Sequence, residues 1–167
     1  MVTYWSFILN ERDFEKYCAN LKANCVAKLS YQGVNIPGYI NVRERVAYFY
    51  NPQGRETIVK RSGFSVLKND GKLEWKEFSK GNPIPPNALP ANPNLKYNRL
   101  YFGSLNLPNE VLYGPVLDNG TCHIPINETI GTSTTPDAIL VKIAPCMLFD
   151  QFLPWLTRRG QRQTQIA

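Results

Sequence analysis

One histidine in 167 residues, His123, and no Gly-x-Ser-x-Gly motif leave a serine or cysteine nucleophile without a general base. No glycine-rich phosphate loop is present, and nothing nominates a pair of carboxylates for glycoside hydrolysis. No catalytic residue is therefore assigned, and no cofactor is expected. Charge is scarce as well: charged residues make up 19% of the chain, and 19 Lys and Arg against 13 Asp and Glu give a net charge of +6. Hydrophobic residues at 43% and aromatic residues at 12% can bury a core, which excludes disorder of the whole chain. Long apolar runs are missing, because charges or prolines break every stretch before the roughly 18 residues that a spanning helix needs. Residues 1–10 carry no basic segment, and the apolar run 4–9 meets Glu11, Arg12 and Asp13 at once. A signal peptide is not expected. The expected location is cytoplasmic, with vesicle association left open.

Cysteines are few and poorly spaced for a disulfide framework. Cys18, Cys25, Cys122 and Cys146 form no CxxC pair, and Cys122 and His123, adjacent on an expected strand, would point to opposite faces. Reduced, mostly buried thiols are expected, and a metal site is not.

What the sequence has in quantity is period-two alternation in short runs. It predicts strands at residues 2–9, 26–31, 39–42, 46–51, 64–68, 73–78, 100–104, 113–117, 121–126 and 138–143. Turn residues separate them at Asn35-Ile36-Pro37-Gly38, Asn51-Pro52-Gln53-Gly54, Asn69-Asp70-Gly71 and Asn119-Gly120. The fold class that follows is all-β and antiparallel. One segment takes the helical period instead. Asn10 can cap a short N-terminal helix over 11–22 that lines up Phe14, Tyr17, Cys18 and Leu21, with Asp13 in its first turn. Near the C-terminus Leu148, Phe152, Trp155 and Leu156 share a helical face that Pro154 interrupts at a cost of about 3 kcal/mol. With Arg158, Arg159 and Arg162 beside it, this tail reads as a lid on the sheet or as a small anchor for an anionic surface. Pro83, Pro85, Pro86, Pro90 and Pro93 cannot sustain a hydrogen-bond ladder, so their segment is an ordered loop or linker.

Three landmarks occur twice: Trp5 and Trp75, Gly38 and Gly114, and the runs 64–68 and 138–142, at offsets of 70, 76 and 74 residues. Two halves of about 70 residues are each marginal alone, so one shared core is expected.

In the second half Trp75, Gly81-Asn82-Pro83-Ile84-Pro85-Pro86-Asn87-Ala88-Leu89, Leu100-Tyr101-Phe102-Gly103, Gly114-Pro115-Val116, Cys122-His123-Ile124-Pro125 and Ile139-Leu140-Val141 resemble the DM9 repeat, also described as DUF3421. In the first half Pro37-Gly38-Tyr39-Ile40, Ala47-Tyr48-Phe49-Tyr50, Gly54-Arg55-Glu56 and Phe64-Ser65-Val66-Leu67 resemble the same repeat's later strands. The resemblance implies two pseudo-symmetric repeats: a divergent first at 1–72 and a second at 73–145, followed by the tail at 146–167. It also implies a non-catalytic, lectin-like carbohydrate-recognition protein for mannose-type glycans, with a role in innate immune or pathogen response. Its expected partners are such glycans and the microbial surfaces that carry them, with a homodimer left open. In lectins of that family an acidic residue after Asn-Ala and a lysine in a Pro-Gly-Lys turn hold the sugar hydroxyls. Here Tyr39 and Pro115 stand where the two lysines would be, and Asn94 stands near the second acid. Weakened or altered sugar binding is the consequence.

Sugar hydroxyls are held by planar groups that donate and accept together, and an aromatic face helps. Asn35, Tyr39, Asn92, Asn94 and Glu110 could supply these where the loop 82–98 meets the turn around Asn35 and Tyr39. Equally, asparagine suits turns for local backbone reasons, and Tyr39 could be a packed strand aromatic. The alternative function is an interaction module that has lost sugar binding and contacts protein or membrane surfaces, the latter only peripherally. Arg43, Arg45, Arg55, Lys60 and Arg61 lie among Tyr31, Tyr48, Phe49 and Tyr50, as on a surface for single-stranded nucleic acid. Glu44 and Glu56 interrupt them, and alternation turns half the rings inward, so nucleic acid is not an expected partner. The sequons at Asn119 and Asn127 carry weight only in an exported chain.

Overall fold

The computed structural model describes residues 4–68, 71–126 and 131–143. The expectations for the tail, Cys146, the Asn127 sequon and the turn at Asn69 and Asp70 lie outside the described residues. In the first half the described chain forms β1 (Trp5–Ile8), α1 (Glu11–Ala19), β2 (Cys25–Tyr31), β3 (Val34–Asn41), β4 (Val46–Asn51), β5 (Glu56–Lys60) and β6 (Phe64–Leu67). In the second half it forms β7 (Leu73–Glu77), β8 (Tyr101–Asn106), β9 (Val111–Val116), β10 (Cys122–Pro125), β11 (Gly131–Thr134) and β12 (Ala138–Lys142). The fold is all-β with one short N-terminal helix.

These strands make two six-stranded antiparallel sheets, ordered β1-β6-β2-β3-β4-β5 and β11-β10-β9-β8-β12-β7. Read from its other end, the second order is the first with every strand advanced by six. The paired landmarks fall on matching strands: Trp5 and Trp75 on β1 and β7, Gly38 and Gly114 on β3 and β9. The two glycines meet the same constraint. A Cβ on Gly38 would lie 2.1 Å from the Tyr48 carbonyl oxygen, and one on Gly114 would lie 2.2 Å from that of His123. Each third strand crosses its fourth too closely for any side chain.

The helix forms where it is expected, with the Asn10 side chain accepting from the Asp13 N–H at 2.9 Å. It ends at Ala19, three residues early, and Phe14 and Cys18 pack on one face of the first sheet among Ile8, Leu29, Ile36, Phe49 and Phe64. The opposite face meets the second half. Val26, Trp5 and Leu67 pack with Leu73, Phe102 and Leu140, while Tyr39 and Tyr48 pack with Leu112, Val116, Ile124 and Ile139. The Trp5 and Phe102 rings lie 5.2 Å apart across this boundary.

One turn was expected in the wrong place. Asn35-Ile36-Pro37-Gly38 is not a turn but the first part of β3. The hairpin bends instead at Gln32 and Gly33, whose φ values of +51° and +79° suit a primed turn. Proline is tolerated inside β3 because β4 pairs with it only from Gly38 onward, so at Pro37 the ladder has one neighbour, Lys28 of β2. The proline-rich segment is ordered, as expected. Asn87, Leu89 and Ala91 hold Lys142, Leu140 and Leu100 through single backbone hydrogen bonds of 2.8–3.0 Å rather than through a ladder.

Candidate functional site

Two asparagines tie each half to the other. Asn24, just before β2, accepts from the Val42 N–H at 3.0 Å and donates to the Val111 carbonyl at 3.0 Å and to Glu110 Oε2 at 3.1 Å. Asn92, in the loop before β8, accepts from the Asn35 N–H at 2.8 Å and donates to the Asn35 carbonyl at 2.9 Å. Asn35 Nδ2 in turn donates to the Ala91 carbonyl at 3.0 Å. With Gly38 and Gly114 superposed, Asn35 and Val111 are equivalent positions, so the same bond is made twice with the halves exchanged.

Beside these ties open two clefts of the same construction. The larger, about 770 Å³, is walled by the β2–β3 hairpin (Tyr31, Gln32, Val34, Ile36), the β4–β5 turn (Asn51, Pro52, Gln53), Leu95 and residues 97–100 before β8, and the β9–β10 turn (Leu117, Asp118, Asn119). The smaller, about 500 Å³, is walled by residues 22–24 before β2, Val42 and Arg43 of the β3–β4 turn, residues 107–110 of the β8–β9 turn, and Val111 and Tyr113. Each combines the approach to a second strand and the turn after a third strand from one half with the second-to-third turn of the other. Neither exists in a half alone.

Their chemistry differs. The smaller cleft satisfies itself: Glu110 Oε1 accepts from Arg43 at 3.2 Å while its Oε2 holds Asn24. Arg43 is 74% exposed, so that ion pair contributes at most about 1 kcal/mol. The larger cleft carries the rings of Tyr31 and Tyr97, the amides of Gln53 and Asn98, and the carboxylate of Asp118. Among the described residues, no hydrogen bond or ion pair occupies the side chains of Gln53, Asn98 or Asp118. The Tyr31 hydroxyl donates to Glu56 Oε1 at 3.3 Å, which fixes its ring, and the Glu56 carboxylate raises the pKa of that hydroxyl. Among the described residues no three His, Cys, Asp or Glu side chains converge to hold a metal, and Cys18, Cys25 and Cys122 carry free thiols.

The five residues nominated from the sequence are dispersed. Asn35 and Asn92 meet where the loop was expected to meet the first half, but the Asn92 amide is spent on the Asn35 backbone and the Asn35 amide on the Ala91 carbonyl. Asn94 is exposed in the loop leading to the larger cleft. Glu110 belongs to the smaller cleft. Tyr39 is 0% exposed, its hydroxyl donates to the Pro125 carbonyl at 2.7 Å, and burial, then the carboxylate of Glu110, push its pKa up. Of its two readings, the packed strand aromatic is the one the fold contains. Sequence reasoning missed Tyr31, Tyr97, Gln53, Asn98 and Asp118 as site residues. Gln53 lay in a recognised turn, where it was read as a bend and not as a wall.

Comparison of the chain with models of protein families, with curated proteins and with solved structures returns no match. Among the described residues no helix is long and apolar enough to cross a membrane.

Proposed function

We propose that the chain is a non-catalytic carbohydrate-recognition protein that takes mannose-type glycans in its larger cleft. One observation carries this reading: an open cleft of about 770 Å³, built by both halves, brings two tyrosine rings together with uncommitted amides and one carboxylate. Its volume is that of a small-molecule site. Tyrosine rings offer an apolar face to the C–H face of a pyranose. Amides and a carboxylate donate to and accept from its hydroxyls. The biological setting, recognition of microbial glycans, comes from the resemblance to DM9 lectins.

Calorimetric titration with methyl α-mannoside and linear mannotriose tests the reading. Tyr31→Ala and Asp118→Asn should each weaken binding by roughly 5- to 30-fold, as the loss of one or two good contacts at about 0.5–1.5 kcal/mol each would produce. Binding unchanged in both variants would remove the larger cleft from consideration. A second reading, an interaction module for protein or membrane surfaces, is favoured by Phe7 and Leu9. They stand 60% and 69% exposed on and just after the edge strand β1. Flotation with anionic vesicles that fails for Phe7→Ser, in a chain that takes up no sugar, would favour that reading.

A further inference from the structure

The two clefts share one plan and differ in two places: the β4–β5 turn walls only the larger, and the larger alone has an insertion before its second strand. β2 begins at Cys25, immediately after Asn24, whereas eight residues, 93–100, separate Asn92 from the start of β8 at Tyr101. Most of the extra residues line the larger cleft, Leu95 and residues 97–100 among them. The smaller cleft has no counterpart to them.

The insertion is folded as a finger and pinned from within. The Leu95 N–H donates to the Asn92 carbonyl at 3.1 Å, which roots the finger on the residue that ties the halves. Arg99 folds back along it: its Nε donates to the Leu95 carbonyl and one terminal nitrogen to the Pro93 carbonyl at 3.4 Å. Asn98 takes a left-handed backbone, φ +54°, so the chain reverses there between Tyr97 and Arg99. Asparagine accepts that conformation better than most residues. The outcome is a tyrosine held on a pinned loop yet 82% exposed. A ring so exposed adds nothing to the core.

We infer that this finger is a specificity element of the larger cleft, with Tyr97 as a stacking platform for a second sugar residue of a glycan chain and Arg99 as its positioning residue. The inference rests on the carbohydrate reading and adds to it the ligand's size, an oligosaccharide stretch rather than one terminal sugar. The cleft is several times the volume of a single hexose, so one sugar on Tyr31 leaves the finger's side of it empty. A preorganised ring supplies stacking at small entropic cost, because pinning by Arg99 has already ordered the loop.

The test compares methyl α-mannoside with linear mannotriose by titration on the wild type, Tyr97→Ala and Arg99→Ala. The wild type should prefer the trisaccharide by tenfold or more. Tyr97→Ala should lower trisaccharide affinity about 5- to 20-fold and monosaccharide affinity far less, so that the preference for the trisaccharide collapses. Arg99→Ala should produce the same collapse of the ratio, with an unchanged melting temperature and faster amide exchange over residues 94–98. A conservative Arg99→Lys should restore part of the preference. Equal losses for both sugars, or a preference that survives Tyr97→Ala, overturn the assignment of the finger while leaving the cleft as a sugar site. A wild type that takes up neither sugar overturns the carbohydrate reading and the finger with it.

Discussion

Asn92 is 8% exposed and makes two hydrogen bonds to the backbone of Asn35, 57 residues away in the other half. In Asn92→Ala both bonds disappear, at about 0.5–1.5 kcal/mol each. The part-buried Asn35 N–H and carbonyl are then left without the partner that served both, and the total becomes about 2–4 kcal/mol. For a domain of this size each kcal/mol moves the melting temperature by about 2–4 °C, so a fall of roughly 5–15 °C is expected in calorimetry. Asn92→Asp is the sharper perturbation. It keeps an acceptor for the Asn35 N–H but sets a carboxylate oxygen against the Asn35 carbonyl, where an N–H used to donate. Protonation turns that oxygen into a donor, so the introduced carboxyl has a raised pKa in the folded state. Its deficit against the wild type should therefore shrink as pH falls from 7 toward 4. Because Asn24 makes the equivalent tie, Asn24→Ala should cost a similar amount. A melting temperature for Asn92→Ala within a degree of the wild type would refute the reasoning. So would an Asn92→Asp deficit that does not change with pH.

Tyr39→Phe should lose about 1–3 kcal/mol in denaturant unfolding, since it strands the buried Pro125 carbonyl. Tyr39→Lys, which restores the lysine of the DM9 resemblance, should be worse and gain no sugar binding, because an ammonium would replace a ring that is 0% exposed. Gly38→Ala and Gly114→Ala should each destabilise by about 3 kcal/mol or prevent folding, because a methyl cannot sit 2.1–2.2 Å from a carbonyl oxygen. Either alanine variant at wild-type stability would contradict the close crossing of third and fourth strands. His123 stacks on Tyr50 with ring centroids 5.4 Å apart, and burial lowers its pKa from the ordinary 6.5. The unfolded chain then binds the proton more readily, so stability present above pH 6.5 should be lost as pH falls through the lower folded value. His123→Gln should flatten that part of the profile, and an identical profile would show that the imidazole does not titrate against folding.

The all-β class and its repeated architecture were legible because most strands are short apolar runs bounded by turn residues, whether they alternate in burial, as β6 does, or are buried on both faces, as β3 is. The two strands that escaped notice, β5 and β11, occupy the same place in their sheets, the outer edge beside the fourth strand. β5 is partly buried on both faces, Ile58 toward one core and Val59 toward the other, so Glu56–Lys60 alternates hardly at all in burial, and Gly131–Thr134 has no large apolar residue. Pro37 and Gly38 misled for a different reason. Both residues punctuate turns, yet here glycine is required by a neighbouring carbonyl and proline is allowed by a missing neighbour, two facts about strand pairing that no local window contains. The site was less legible still. Asn35 and Asn92 admitted a local backbone reading and a ligand reading, and they serve neither, since their bonds span 57 residues and are internal. What composes the larger cleft is the strand order itself, which brings the turn after β2, the turn after β4, the approach to β8 and the turn after β9 to one place. Loops that meet only because two sheets share a topology have no common sequence signature. A repeated strand order, once established, narrows the search to the pairs of turns that it brings together.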